Sequence, residues 1–305
     1  MTQVPTQNGK CEEKTMRSSS PVTGLRKSSS SSHEPPLHAA GLTGRVHGDE
    51  EAPGAPFVFL HGLTFDSGMW GPVLDALPFG HRAIAFDLPG HGGSAALPHQ
   101  GLAVVVQAVH EAVLDAGLAA PIVVGHSIGG QLATLYAARH PAVAVVSVEA
   151  PVRLEPFAQL LRSLRPQLTG DGFGEAWAIY QDSWHMELLS DADRELLRAG
   201  DRPGDDALRQ LVLSYQSDLL ERPLEETVRA RDEGLNRLRA AGTPYLTLHS
   251  CPVDPSDRKW LHERLPQAEI LVCPVGHHFP HLAHPVGFAA LLTGLAAGRA
   301  PTPPS

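Results

Sequence analysis

Long hydrophobic runs are missing from this 305-residue chain. None approaches the roughly 18 apolar residues that a bilayer span requires, and the longest, such as Leu102 to Val106, suit buried strands or helices. Cysteine is scarce, with three in all, too few for a disulfide framework. Cys251 and Cys273 each close an apolar run, and a bridge between them is the minor reading. There is no excess of positive charge: 24 Lys and Arg stand against 33 Asp and Glu, for a net charge of -9. That balance argues against nucleic acid or an anionic membrane surface as a partner. The stretch Met1 to Arg17 has no apolar core and so does not read as a secretory signal. With neither signal nor span, the expected location is the cytoplasm.

Two kinds of ligand motif are missing as well. Among seventeen histidines the densest group is His277, His278, His281 and His284, yet no H-x-H-x-D-H or H-E-x-x-H spacing occurs. No metal is therefore expected, and His281 and His284 read as the opening of the last helix. "DLPGHGGS" lacks the lysine of a phosphate loop and the G-x-G-x-x-G order of a dinucleotide site. It reads as a tight turn after Asp87.

What is present suits a soluble globular protein: 42% hydrophobic and 19% charged residues. Residues 1–36 form a separate material, serine-rich and without hydrophobic period, which cannot bury enough surface to offset ordering and reads as a disordered tail. From Leu37 the pattern becomes regular. "APFVFLHG", "HRAIAFD", "PIVVGH" and "AVAVVSVEA" are short apolar runs with strand character. Between them lie stretches of helical spacing: "SGMWGPVLDAL" with Ser67 placed to cap it, "GLAVVVQAVHEAVLDAGL", and "IGGQLATLYAARHP". Alternating strand and helix calls for an α/β fold, a parallel sheet with helices on both faces.

The alternation stops at Pro151. Residues 151–241 show helical stretches and no convincing strand, after which "TPYLTLHS", "AEILVCPVG" and a closing helix "VGFAALLTGLAAG" resume the earlier pattern. The expected organisation is thus a core of residues 37–150 and 242–298, interrupted by a helical insertion of the kind that often serves as a lid.

In an open parallel sheet, ligands meet the carboxyl ends of the strands. Those ends carry His61-Gly62-Leu63-Thr64, Gly125-His126-Ser127, "SCPVDPSD" and "GHHFPH", so serine, carboxylate and histidine follow one another in chain order. A single G-x-S-x-G, here Gly125-His126-Ser127-Ile128-Gly129, arises by chance on the order of 0.2 times in a chain this rich in glycine and serine. The joint order carries the argument. "FLHGLT", "FDLPGHGGS", "VVGHSIGGQLA" and "GHHFPHLAHPVGF" together resemble the α/β-hydrolase-fold serine hydrolases of the esterase, lactonase and cofactor-free haloperoxidase type, with a helical cap.

The resemblance implies roles. Ser127 is the expected nucleophile, between glycines that permit a strained turn. The base is expected in a Gly-x-x-Phe-Pro context, which favours His278 over His277; the family usually has a small residue before the base, so His277 is a departure. The acid is expected after the strand preceding the last, where Asp254 is favoured although its spacing from Ser250 is one residue too long. Asp257 is a weaker fallback that reads as a helix N-cap. Some relatives place the acid after the strand that follows the nucleophile helix, where this chain has Glu149. The oxyanion hole is expected from the backbone N–H groups of Leu63 and Ile128, with His61 fixing the loop that presents Leu63. Trp177, Tyr180, Trp184 and Tyr215 of the insertion are candidates for substrate contact. No cofactor is implied. The expected substrate is a carboxylic ester or lactone of moderate size and apolar character, cleaved through an acyl-enzyme. Thioester and carbon–carbon hydrolysis, perhydrolase or haloperoxidase activity, and a non-catalytic ligand-binding protein remain alternatives.

Overall fold

Strands that read as unbroken apolar runs form the middle of the sheet. The computed structural model describes residues 36–98, 101–198 and 205–305, so the tail expected over residues 1–36 lies outside the described residues except for Pro36. The strands are β1 (Leu37–Ala39), β2 (Leu42–His47), β3 (Phe57–Leu60), β4 (Ala83–Phe86), β5 (Ile122–His126), β6 (Ala144–Val148), β7 (Tyr245–His249) and β8 (Ala268–Val272). They form one sheet in the order β1-β2-β4-β3-β5-β6-β7-β8. The first two pairings, β1 with β2 and β2 with β4, are antiparallel, and all others are parallel. Every residue of β3 to β7 is buried, as expected where helices cover both faces.

A 3₁₀ turn at Ser67–Trp70 leads into α1 (Gly71–Ala76), followed by α2 (Leu102–Asp115) and α3 (Ile128–Ala137). Between β6 and β7 come α4 (Leu154–Thr169), α5 (Phe173–Asp182), α6 (Asp191–Arg198), α7 (Asp205–Tyr215), α8 (Ser217–Leu220) and α9 (Leu224–Ala241). The chain ends with α10 (Pro255–Arg264), α11 (Pro280–Ala283) and α12 (Pro285–Ala296). On the core, α1 packs on α12 and α2 on α3, while α4 packs against α5, α7, α8 and α9 of the insertion. Among the described residues, no helix is long and apolar enough to cross a membrane.

Two local readings change. Ser67 does not cap the first helical turn; Asp66 does, its carboxylate accepting Gly68 N–H at 2.6 Å, because Asp66 holds the extended backbone a cap needs. The β1–β2 hairpin has no counterpart in the alternating pattern. Its two turn residues, Ala40 (φ 44°) and Gly41 (φ 84°), both lie in the left-handed region suited to a two-residue hairpin. Cys273 is a buried free thiol.

The order β4-β3-β5 places the sheet's reversal of direction between β3 and β5, where Leu60 lies opposite Gly125. Their carboxyl ends therefore open together at the position where such sheets bind ligands.

Candidate active site

Ser127 stands at the turn from β5 into α3 with φ 54° and ψ -116°. A β-carbon in this region is strained, at a cost of about 1–3 kcal/mol, and persists only where neighbours enforce it. Enforcement is visible: Ser127 N–H donates to the Val148 carbonyl at 2.8 Å, and the Ser127 carbonyl accepts from Gly130 N–H at 2.9 Å. The two glycines of the motif are needed for close approach. A β-carbon on Gly125 would lie 1.9 Å from the Gly129 oxygen, and one on Gly129 would lie 2.2 Å from the Leu60 oxygen. Helix and strands thus crowd together around the serine.

His278 follows β8 in the loop before α11. Its Nδ1 lies 3.2 Å from Glu149 Oε2, and Glu149 follows β6 with φ 55°. The other carboxylate oxygen accepts Ser250 N–H. Burial pushes the Glu149 carboxyl up, but the hydrogen bond and charge of His278, with further help from His249 and Ser250 N–H, hold it below the ordinary range. An ionised carboxylate there keeps the proton on Nδ1 and leaves His278 Nε2 as the free lone pair. That Nε2 is buried and has no hydrogen-bond partner among the described residues. The His278 backbone is clamped on both sides: its N–H donates to the Trp184 carbonyl at 3.0 Å, and its carbonyl accepts from His126 Nε2 at 2.7 Å. His277 is otherwise engaged, its Nδ1 accepting Phe279 N–H at 3.1 Å.

The favoured acid, Asp254, is not brought to this histidine. It is the N-cap of α10, accepting from Ser256 N–H at 2.7 Å and from the Ser256 hydroxyl at 2.6 Å, and it faces solvent. The cap role expected of Asp257 therefore belongs to Asp254, while Asp257 sits in the helix's first turn beside Arg153. The sequence Asp254-Pro255-Ser256 carried this signal: a capping residue followed by proline at the first helical position.

Beyond β3, Leu63 N–H donates to no group among the described residues. Neither it nor Ile128 N–H, at the first turn of α3, meets an acceptor among the described residues. The loop that carries Leu63 is held from beneath. His61 Nδ1–H donates to the Gly62 carbonyl at 2.8 Å and its Nε2 accepts Leu88 N–H at 2.9 Å. Thr64, at φ 70°, donates its N–H to His91 Nε2 at 3.1 Å. His91 comes from the turn after β4 and was read only as part of that turn. Burial, then the neighbouring His61, push its imidazole down to about 3, so it stays a neutral acceptor.

The insertion closes over this surface. Tyr180 makes polar contacts with the side chains of Ser127 and Trp184, and burial pushes its hydroxyl up to about 12. Trp177 and Tyr180 line a narrow apolar cavity that reaches Leu63. Trp184 and Tyr215 do not line it. The Trp184 ring stacks on His278 with centroids 6.2 Å apart, and the Tyr215 hydroxyl donates to the Pro89 carbonyl at 2.9 Å. Among the described residues, no group of three or more His, Cys, Asp or Glu side chains is arranged to hold a metal ion.

A strained serine on a strand-to-helix turn, set at the reversal point of a mostly parallel sheet with a carboxylate-paired histidine from a later strand end, defines the class of the α/β hydrolases. The chain belongs to the alpha/beta hydrolase family, whose model matches residues 57–291. A putative carbamate hydrolase, RutD of Escherichia coli, is 27% identical over 246 residues, covering 79% of this chain and 86% of that protein. Among solved structures, the haloalkane dehalogenase DbeA from Bradyrhizobium elkani has a TM-score of 0.66 at 19% identity, covering 87% of this chain and 97% of that one. The enol-lactonase from Burkholderia xenovorans has a TM-score of 0.61 at 18% identity, covering 86% of this chain and all of that one, 100%. These structural likenesses carry the fold; the family carries hydrolase activity.

Proposed function

We propose that the protein is a serine hydrolase that cleaves a carboxylic ester or lactone through an acyl-enzyme on Ser127. The observation that carries this reading is the pairing of His278 Nδ1 with the buried Glu149 carboxylate at 3.2 Å, with Nε2 free of any partner among the described residues. Ser127 Oγ attacks the substrate carbonyl carbon as His278 Nε2 takes the hydroxyl proton. Glu149 keeps the imidazole oriented and stabilises its cation. The negative oxygen of the tetrahedral intermediate receives the N–H groups of Leu63 and Ile128, both without an acceptor among the described residues. Collapse breaks the bond to the leaving oxygen, which takes the proton from Nε2. Water then attacks the acyl-enzyme by the same route in reverse, giving the acid and restoring Ser127. In a lactone the leaving oxygen stays tethered to the acyl group.

The test is intact-mass labelling with a fluorophosphonate, comparing wild type with Ser127→Ala, alongside hydrolysis of a short p-nitrophenyl ester. A single adduct that disappears in the variant, together with loss of ester turnover, is the expected result. A folded wild type that takes no label and turns over no ester overturns the reading. A carbamate substrate is the second reading, favoured by the similarity to the putative carbamate hydrolase. The same carbonyl chemistry applies, and release of amine or ammonia from a carbamate panel separates the two.

A further inference from the structure

The narrow cavity beside the Leu63 loop is lined mostly by apolar side chains. Leu63, which supplies one of the two free N–H groups, lies at one end, and Tyr180, which meets Ser127, forms part of the wall. Leu161, Leu164 and Leu168 of α4 and Val212 of α7 continue it. Among these lining residues sits Gln216, 3% exposed, whose side-chain oxygen is buried and has no hydrogen-bond partner among the described residues. A buried amide oxygen without a donor is unfavourable, and native interiors rarely keep one without a reason.

Gln216 is held through its backbone. It is the single residue between α7 and α8. Its N–H donates to the Val212 carbonyl at 3.1 Å, and its carbonyl accepts from Leu219 and Leu220 N–H at 3.0 and 2.9 Å. The preceding residue, Tyr215, is tied to Pro89. The backbone is therefore locked, while the side-chain oxygen meets no donor among the described residues. The cavity has room for little more than a water molecule, so a longer acyl group can occupy it only if its walls move apart.

We infer that Gln216 is a specificity residue, selecting substrates whose acyl group carries a hydrogen-bond donor, an O–H or N–H, away from the scissile carbonyl. This rests on the hydrolase reading above. An apolar tail that fills the cavity leaves the amide oxygen unpaired, and a site built to receive a donor rejects the isostere that lacks it far more strongly than an apolar pocket rejects an extra methylene. The other lining groups then set the size and apolar character of the rest of the chain.

The experiment compares p-nitrophenyl ω-hydroxyalkanoates with n-alkanoates that carry methyl in place of the hydroxyl, over a series of chain lengths. At the matching length, kcat/KM is expected to be about 10- to 100-fold higher for the hydroxy substrate, and Gln216→Met, of similar size, should abolish the preference. Gln216→Leu serves as the second variant if the first does not fold. Calorimetric binding of the ω-hydroxy and alkanoic acids to Ser127→Ala protein reads the same difference without turnover. The proposal is overturned if neither kcat/KM nor binding favours the hydroxy tail at any length, or if the preference survives in the Gln216 variants. Failure of the hydrolase reading shows separately, as absence of fluorophosphonate labelling and of all ester turnover, and binding then still decides the role of Gln216.

Discussion

The Tyr215 hydroxyl donates to the Pro89 carbonyl at 2.9 Å, joining the helical insertion to the turn after β4. The same carbonyl accepts His91 Nδ1–H at 3.1 Å, and His91 Nε2 accepts Thr64 N–H at 3.1 Å. Thr64 follows Leu63, so the insertion's seating and the placement of the proposed oxyanion donor are linked by an unbroken series of hydrogen bonds.

Tyr215→Phe tests that link. The Pro89 carbonyl keeps its bond to His91, so stability should fall by only about 1 kcal/mol. Turnover is a different matter, since a misplaced oxyanion donor affects the transition state more than substrate binding. We expect kcat to fall about 10-fold with KM changed no more than about two-fold, and fluorophosphonate labelling to slow in parallel because it builds the same oxyanion. Steady-state kinetics and labelling rates check this; wild-type values for both in Tyr215→Phe would disconnect the tether from the chemistry.

Glu149 and Asp254 can be separated by mutation. Glu149→Gln keeps shape but removes the charge that holds His278 in one tautomer, and kcat for ester hydrolysis should fall by about 10³- to 10⁴-fold. Asp254→Ala removes a solvent-facing helix cap, so it should lower the thermal midpoint modestly and leave kcat within about two-fold of wild type. The reverse ranking in kcat would return the acid role to Asp254.

The elbow glycines make a claim about folding. At Gly129 a β-carbon meets the backbone oxygens of Leu60 and His61 at 2.2 and 2.7 Å, groups that cannot rotate aside. Gly129→Ala should therefore cost more than about 3 kcal/mol, measured as a shift in the urea midpoint or as loss of soluble protein. Gly174→Ala, where a β-carbon meets nothing within 4 Å on α5, should instead be neutral or slightly stabilising.

Much of this was legible in the chain because buried parallel strands leave a plain signature. Phe57–Leu60, Ile122–His126 and Ala144–Val148 lie buried throughout, so their sequences are nearly continuous apolar runs, interrupted only by His126 at a strand end and by Ser147. The β1–β2 hairpin was not legible: Thr43, Arg45 and His47 break its apolar pattern, and its turn depends on Ala40 adopting a positive φ. Ser127 and His278 could be singled out because local motifs surround each. The partner of His278 could not, since two carboxylates follow successive neighbouring strands, β6 and β7, and only the path of the chain decides which turns inward. Gln216 carried no local signal at all; its meaning lies in what the cavity around it lacks.

His281 makes stability depend on acidity. Its ring is fully buried, 4.5 Å from Trp70 and 5.0 Å from His126 between centroids, and neither ring nitrogen has a hydrogen-bond partner among the described residues. Burial, then the neighbouring His278 and His277, push its imidazole down to about 3 from an ordinary 6.5. Between those two values the unfolded chain binds a proton that the folded protein refuses, so folding stability falls as pH is lowered through that window. At pH 5 the loss relative to neutral pH amounts to about 2 kcal/mol from this residue. His281→Phe keeps an aromatic ring against Trp70 and Phe288 and removes the titration. Urea midpoints at pH 7.5 and pH 5 should therefore lie closer together in the variant by the equivalent of about 2 kcal/mol. An unchanged gap between the two midpoints would mean that His281 takes up its proton in the folded protein, against its dry and unpartnered surroundings.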